Sequence, residues 1–337
     1  MNAQVIPVGG LTRDQVQSVL VAATAAPSLY NSQPWRFRCT PAAIELHADA
    51  ERATPATDPG HRELFLSCGA ALLNLRLAIQ GLGVHPAVEL FPDAKQPDLL
   101  AILQPQGLTP VSPSDRRLAE MIFRRHTNRR PFSTAEVPAP MLAELRQAAK
   151  LEQAWMAALA PPHLSTLRRL IGRAHAVQVG DPAFVAEWAH WTGRGPDSRD
   201  GVPATSGGPL PEPQDAWVLR DYSAGQAHSR VPGKDFEADP LIAVIGTFHD
   251  LPIARLQAGQ GMQRVLLAAT ADGLSASFLS QVVEVAETRK QLRDLIVGGL
   301  WPQAVLRLGY GLPVAATPRR SVEDVLHDGI FTRSAPL

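Results

Sequence analysis

Residues 64–83 read Leu64-Phe65-Leu66-Ser67-Cys68-Gly69-Ala70-Ala71-Leu72-Leu73-Asn74-Leu75-Arg76-Leu77-Ala78-Ile79-Gln80-Gly81-Leu82-Gly83. Leu64, Cys68, Ala71, Leu72, Leu75, Ile79 and Leu82 recur at helical spacing and form a buried stripe. Gly81 and Gly83 supply a C-terminal stop. A second long apolar stretch, roughly 252–272, ends at Gly273-Leu274. Gly69 and Gly261, and likewise Gly81 and Gly273, stand 192 residues apart. The order of elements around the two stretches also matches. A duplicated α+β unit is expected, with one long apolar helix from each half at a shared centre.

Working outward, Thr12 and Gln15 have the spacing of a capping box ahead of Val16, Val19, Leu20 and Ala23. Pro27 stops that helix. Residues 35–39, 43–48, 87–91 and 99–103 read as strands. Ser114 is the expected cap of a helix over 115–123, and Pro140 suits the first turn of another reaching Lys150. An extended run over 154–159 precedes helices over 163–179 and 182–191. From 192 to 239 the pattern dissolves into Gly, Pro, Ser and Asp, as in a long lid or a disordered loop. Residues 241–248, 276–279 and 305–310 read as strands. Thr288 and Gln291 repeat the capping-box spacing.

The chain has 337 residues, 32 Lys+Arg and 32 Asp+Glu, so its formal charge is zero. That balance argues against a nucleic-acid coat, which leans on positive charge. The apolar fraction of 45% is that of a globular protein. Cys39 and Cys68, the two cysteines, have neither disulfide-framework nor zinc spacing and read as small buried residues. The first ten residues lack the basic and apolar regions of a signal peptide, and no apolar run is read as long enough to span a bilayer. A cytoplasmic protein is expected.

HExxH, GxxxxGK[ST] and GxSxG are absent, and Gly259-Gln260-Gly261-Met262-Gln263-Arg264 misses the third glycine of a dinucleotide fingerprint. The ten histidines have no metal-ligand spacing. Two stretches carry positive signals. Arg124-Arg125-His126-Thr127-Asn128-Arg129-Arg130 can wrap a phosphate with charge-assisted bonds, or present a solvated basic face. Pro27-Ser28-Leu29-Tyr30-Asn31-Ser32-Gln33-Pro34-Trp35 pins donors and acceptors between two prolines. That suits the edge of a flat heterocycle, and equally an ordinary helix-to-strand turn with Trp35 in the core.

The Pro-Ser-x-x-Asn-Ser-Gln-Pro-Trp loop resembles a signature of the nitroreductase family of FMN enzymes. Residues 125–129 resemble that family's basic-basic-hydroxyl-x-basic run. Gly273–Gln281 resembles the segment behind the isoalloxazine ring, and Leu308-Gly309-Tyr310 with Arg319-Arg320 resembles the closing strand and terminal basic residues. The resemblance implies FMN as cofactor. Arg125, His126 and Thr127, with Arg319 or Arg320, would hold its phosphate and ribityl chain, with Arg129 near N1 and O2. Ser28 and Asn31 would bond the pyrimidine edge, with Pro27 and Leu29 of the same loop also expected to bind the cofactor. Phe278 and Leu279 would cover one ring face, with Ser280 and Gln281 near N5 or O4. No catalytic acid or base and no metal ligand is implied.

In ordinary family members the basic run precedes the Pro-Ser loop, and two chains share two sites. Here the order is reversed. The chain is therefore similar to a fused pseudo-dimer of the Acg-type branch, an α+β protein with one complete FMN site and one degenerate site. Its halves would be 1–112 and 113–337, the second carrying the lid. The implied activity is reduction of a flat electron-poor substrate, a nitroaromatic or quinone, by hydride from NAD(P)H. The alternative is a lid-covered FMN-binding or sequestration protein. Expected partners are FMN, NAD(P)H and a small aromatic substrate, with no nucleic acid or membrane, in a monomer or homodimer of fused chains.

Overall fold

The computed structural model describes residues 4–195, 197–212, 215, 217, 219–227, 240–296 and 298–327. The expected lid over 192–239 therefore lies partly outside the described residues. The first helix, α1 (Arg13–Thr24), opens on the capping box read from the sequence. The Gln15 N–H donates to Thr12 Oγ1 at 3.3 Å and the Thr12 N–H to Gln15 Oε1 at 2.9 Å. Strands β1 (Trp35–Cys39) and β2 (Ile44–Ala48) follow, then α2 (Arg62–Gly81), β3 (Val84–Leu90) and β4 (Leu99–Leu108). Next come α3 (Pro113–Met121), α4 (Ala139–Leu151), β5 (Trp155–Ala158), α5 (Pro161–Val179) and α6 (Pro182–Trp191). The chain continues with β6 (Leu241–Thr247), α7 (Pro252–Ala271), β7 (Ser275–Phe278), α8 (Gln281–Glu284), α9 (Ala286–Leu295), β8 (Trp301–Gly309) and α10 (Val322–Val325).

The strands form two four-stranded antiparallel sheets, ordered β1-β2-β4-β3 and β5-β6-β8-β7. The second repeats the order of the first. In β6, Ala243 and Ile245 join the main core, while Ile242 and Val244 join a smaller cluster under α5 and α9. That alternation follows the two-residue period of a strand with both faces covered.

Helices α2 and α7 cross at the centre of the main core, and each is buried over most of its length. A helix that is apolar all round belongs in such a place. By length and composition α2 would also suit a membrane span, contrary to the sequence reading, yet most of it is buried inside the protein. Its first turn is capped from outside: the Asp58 carboxylate accepts from the N–H groups of Arg62, Glu63 and Leu64 at 2.9, 2.8 and 3.0 Å. At the crossing the backbones touch. A Cβ on Gly69 would run into the Leu256 carbonyl oxygen, and one on Gly259 into that of Leu66. The glycine facing Gly69 is thus Gly259, not Gly261, whose own neighbour is Ala154. The helices end on Gly83 and Gly273, both left-handed at φ +75° and +77°. Start (62 and 252), crossing (69 and 259) and stop (83 and 273) all register at 190 residues, replacing the spacing of 192 read from the sequence.

Two expected caps move. Ser112, not Ser114, caps α3, because Pro113 starts the helix. Thr288 caps nothing: it lies inside α9, its buried hydroxyl donating to the Val282 and Val285 carbonyls at 3.0 Å each. The tail returns to the first sheet, where Leu326 bridges Phe37 and the His327 N–H donates to the Phe37 carbonyl at 3.1 Å.

Substituting Gly69→Ala should destabilise the chain by about 3 kcal/mol or more, since backbone on the opposing helix must shift. Gly172→Ala in α5, with open space around its Cβ position, should be neutral or gain up to about 1 kcal/mol. Denaturant unfolding of both variants checks the contrast.

Candidate functional site

The site gathers four segments. The Pro27–Pro34 loop follows α1 and is held in an uncommon backbone: Tyr30, Asn31 and Gln33 lie at φ 52°, 57° and 54°. Left-handed backbone at such residues costs energy and persists where surrounding bonds fix it. Here the Gln33 N–H donates to Ser28 Oγ at 2.9 Å, and the Leu29 N–H to Ser67 Oγ at 3.4 Å. The basic run is pinned to the second sheet. Thr127 bridges Ala276, the Asn128 N–H donates to the Ala276 carbonyl at 2.8 Å, and Arg307 donates to the Arg130 carbonyl at 2.9 Å. The third segment is the end of β7 with α8, and the fourth is the returning tail, which lays Arg319 and Arg320 against the loop.

A cavity of about 70 Å³ lies between them. Pro27, Ser28, Leu29, Thr127, Arg129, Phe278 and Ser280 line it, all expected from the sequence. Leu279 and Gln281 line a smaller neighbouring cavity of about 30 Å³, on which Arg129 and Phe278 also border. Asn31 borders neither. Its side-chain amide donates to the carbonyls of Gly201 and Pro318 at 3.0 and 2.9 Å, and its Oδ1 accepts from Arg319 at 2.9 Å. It ties three segments together.

The electrostatics centre on Arg125 and Arg319. Arg125 is buried and Arg319 half-buried, and both donate to the Ala25 carbonyl, at 3.5 and 3.3 Å. Among the described residues neither has a carboxylate partner, and the Nε of each is buried without an acceptor. Burial pushes Arg125 down to about 10; burial and Arg125 push Arg319 down to about 9. Both stay charged at neutral pH, so the depression measures a demand for a counter-anion. His126 is lowered by burial and by these two arginines, which favours its neutral form. Arg320 turns the other way, 3.7 Å from Asp49 and bonded to the Gln33 carbonyl. Of the two tail arginines, Arg319 joins the cation cluster.

Sequence reasoning missed the remaining lining. Tyr30, Glu63, Leu66, Ser67, Met262, Val283, Gln303 and Ala304 face the cavity from the loop, α2, α7, α8 and β8. Tyr222, from the irregular stretch, borders both cavities and stacks on the Arg129 guanidinium at 4.2 Å. Tyr30 stood inside a stretch read as carrying chemistry, whereas Leu66, Ser67 and Met262 stood in stretches read as core helix or as an incomplete dinucleotide fingerprint. The helix residues were indistinguishable from core positions, and Tyr222 sits in a segment without periodicity.

With this geometry in view, two relatives decide the family. A Mycobacterium tuberculosis protein (strains CDC 1551 / Oshkosh and H37Rv) provisionally named an NAD(P)H nitroreductase is 33% identical over 323 residues, covering 93% of this chain and 91% of its own. The provisionally named NAD(P)H nitroreductase Acg of the same organism is 31% identical over 326 residues, covering 94% and 96%. The chain belongs to the nitroreductase family. No family model matches it. Among solved structures it is similar to a Bacteroides fragilis nitroreductase with bound FMN, at 16% identity and TM-score 0.37 over 65% of this chain and 98% of that one. A provisionally named nitroreductase of Anabaena variabilis gives 12% and 0.46 over 88% and 73%. The family assignment rests on the mycobacterial relatives.

The cation cluster of this nitroreductase-family chain should take up anions directly. Inorganic phosphate or sulfate at millimolar concentration should raise the melting temperature of the cofactor-free protein. Arg319→Ala should abolish most of that rise. An equal rise in the variant would place the anion elsewhere.

Proposed function

We propose that the chain is an FMN-dependent oxidoreductase that passes electrons from NAD(P)H to a flat electron-poor acceptor such as a nitroaromatic or quinone. The observation that carries this reading is the pair of guanidinium groups of Arg125 and Arg319, whose Nε atoms are buried without an acceptor. Neither lines the cavity bordered by Pro27, Ser28, Leu29, Thr127, Arg129, Phe278 and Ser280, but both bond to the Ala25 carbonyl at the start of the same loop. Two unpartnered Nε atoms and a rigid loop suit a phosphate joined to a planar ring. Charge-assisted bonds of this kind are worth roughly 1.5–3 kcal/mol each. Bound there, FMN would supply two-electron redox chemistry. Arg129, fixed by the Ser206 carbonyl at 2.9 Å, would stabilise negative charge on the ring edge.

The chain is read as two nitroreductase-like halves, 1–112 and 113–337, making an intrachain pseudo-dimer with one FMN site. The common strand order and the register of 190 residues support this. So does the position related to the cavity by that register. There Val88, Leu90 and Gln257 stand where Phe278, Ser280 and Ser67 line the site. Arg76, bonded to Glu152 and Gln260 at 2.5 and 2.6 Å, lines that space, a cavity of about 320 Å³. With neither the basic run nor the Pro-Ser loop beside it, this position is read as the degenerate counterpart of the site.

A second reading, flavin sequestration, is favoured by how firmly the described part of the irregular stretch is tied to its neighbours, with Tyr222 on the cavity wall. Gln33 donates to the Arg199 carbonyl at 2.9 Å, Arg52 pairs with Asp200, and Tyr222 covers Arg129. The Arg220–Glu284 ion pair is fully buried, with Gln178 bonded to both partners. A purified yellow protein bleached by NADH or NADPH without oxygen supports turnover. Bleaching by dithionite alone supports sequestration, and a colourless protein that ignores added FMN overturns both. One FMN per chain is expected. Arg125→Ala should weaken FMN retention by tenfold or more and Arg124→Ala by little, measured by fluorescence titration.

A further inference from the structure

Among the described residues lining the cavity, Glu63 is the one carboxylic acid. It occupies the first turn of α2 and is 8% exposed. An acid at a helix N-terminus ordinarily gains from the free N–H groups there. Here those of residues 62–64 are already bonded to Asp58. The charges around Glu63 come from several elements. Arg62 bonds to it from α2, Asp58 stands in the preceding loop, and Glu284 approaches from α8 with Arg220 paired to it. Tyr30 and Tyr222 share the cavity wall. Arg62 forms a buried ion pair with Glu63 through Nη2 at 2.5 Å and donates to the Gln303 carbonyl through Nη1.

We propose that Glu63 is the proton donor of the cavity, serving an acceptor that has just taken up a hydride there. This rests on the oxidoreductase reading and adds the acid that the sequence did not name. The step balances for a quinone. Hydride addition to the quinone, the chemistry a bound flavin would supply, would leave a hydroquinone anion. An O–H bond then forms at its oxygen as the Glu63 O–H bond breaks. The electron pair stays on the Glu63 carboxylate, which recovers a proton from water. Burial, helped by Glu284 and Asp58 and opposed by Arg62, raises the Glu63 carboxyl from 4.5 to about 8. The acid is therefore loaded at neutral pH. Because the folded chain keeps a proton that the unfolded chain releases above about 4.5, stability should fall as pH rises from there through 8.

The test reads the proton first without any flavin. Infrared spectra of the cofactor-free protein and of Glu63→Gln are compared between pH 6 and 9.5. The wild type should show a protonated-carboxyl stretch that bleaches with a midpoint near 8 and is missing from Glu63→Gln. Identical spectra at pH 6, or a midpoint below 6, overturn the proposal. Should Glu63→Gln fail to fold, Glu63→Asp replaces it: a shifted titrating band supports the assignment, and an unchanged band overturns it. With FMN bound and a quinone as acceptor, wild-type kcat should fall about tenfold per pH unit above 8. Glu63→Gln should be slow and flat, with KM little changed. A Glu63→Gln enzyme that keeps the alkaline limb overturns the donor role. A colourless chain with the band present overturns the flavin reading and the delivery step with it. A yellow chain without the band overturns Glu63 alone.

Discussion

The contact of Gly69 with Leu256 and of Gly259 with Leu66 sets the distance between α2 and α7, and through them between the two sheets. Side chains at the crossing would hold the helices at the usual 8–10 Å between axes. Glycine on both sides lets backbone meet backbone. Everything functional hangs on that approach. Glu63, Leu66 and Ser67 reach the cavity from one helix, Met262 from the other, and Phe278 and Ser280 from the chain just after it. A wider crossing would open the cavity along its whole floor.

The second constraint is electrostatic. A chain of zero net charge brings Arg125 and Arg319 together in one corner at the Ala25 carbonyl, with no carboxylate partner for either among the described residues, while several other buried or half-buried charges are paired. Arg264 and Arg76 share Glu152, Arg289 and Arg255 share Asp250, and Arg220 holds Glu284. Burying a charge without a partner is costly. Two neighbouring guanidinium groups without an acid therefore point to a ligand rather than to the fold. The same arithmetic separates Arg319 from Arg320: adjacent in sequence, one faces the corner and the other faces Asp49.

Where local chemistry decides, the sequence was legible. The Thr12–Gln15 box, the helix bounded by Pro182 and Trp191, and the residues flanking Asn31 all follow from caps, prolines and periodicity. The tertiary fold decided the rest. Thr288 has the spacing of a cap but sits inside the first turn, because Val285 begins the helix instead. Gly261 and Gly259 are equivalent to any pattern reading, and only the partner helix distinguishes them. Asn31 looks like a ligand contact and serves as a knot between three segments. Glu63 reads as an ordinary first-turn acid until the cavity is seen behind it.

The pairing of the tail with β1 has a bearing on biosynthesis. Arg319 and Leu326 follow the last strand of the second sheet, yet they dock on elements made within the first fifty residues. Both sheets can collapse while the anion corner still lacks one of its guanidinium groups. On the ribosome, where N-terminal units fold first, the corner is completed only once Arg319 has emerged and crossed back to the loop after the first helix.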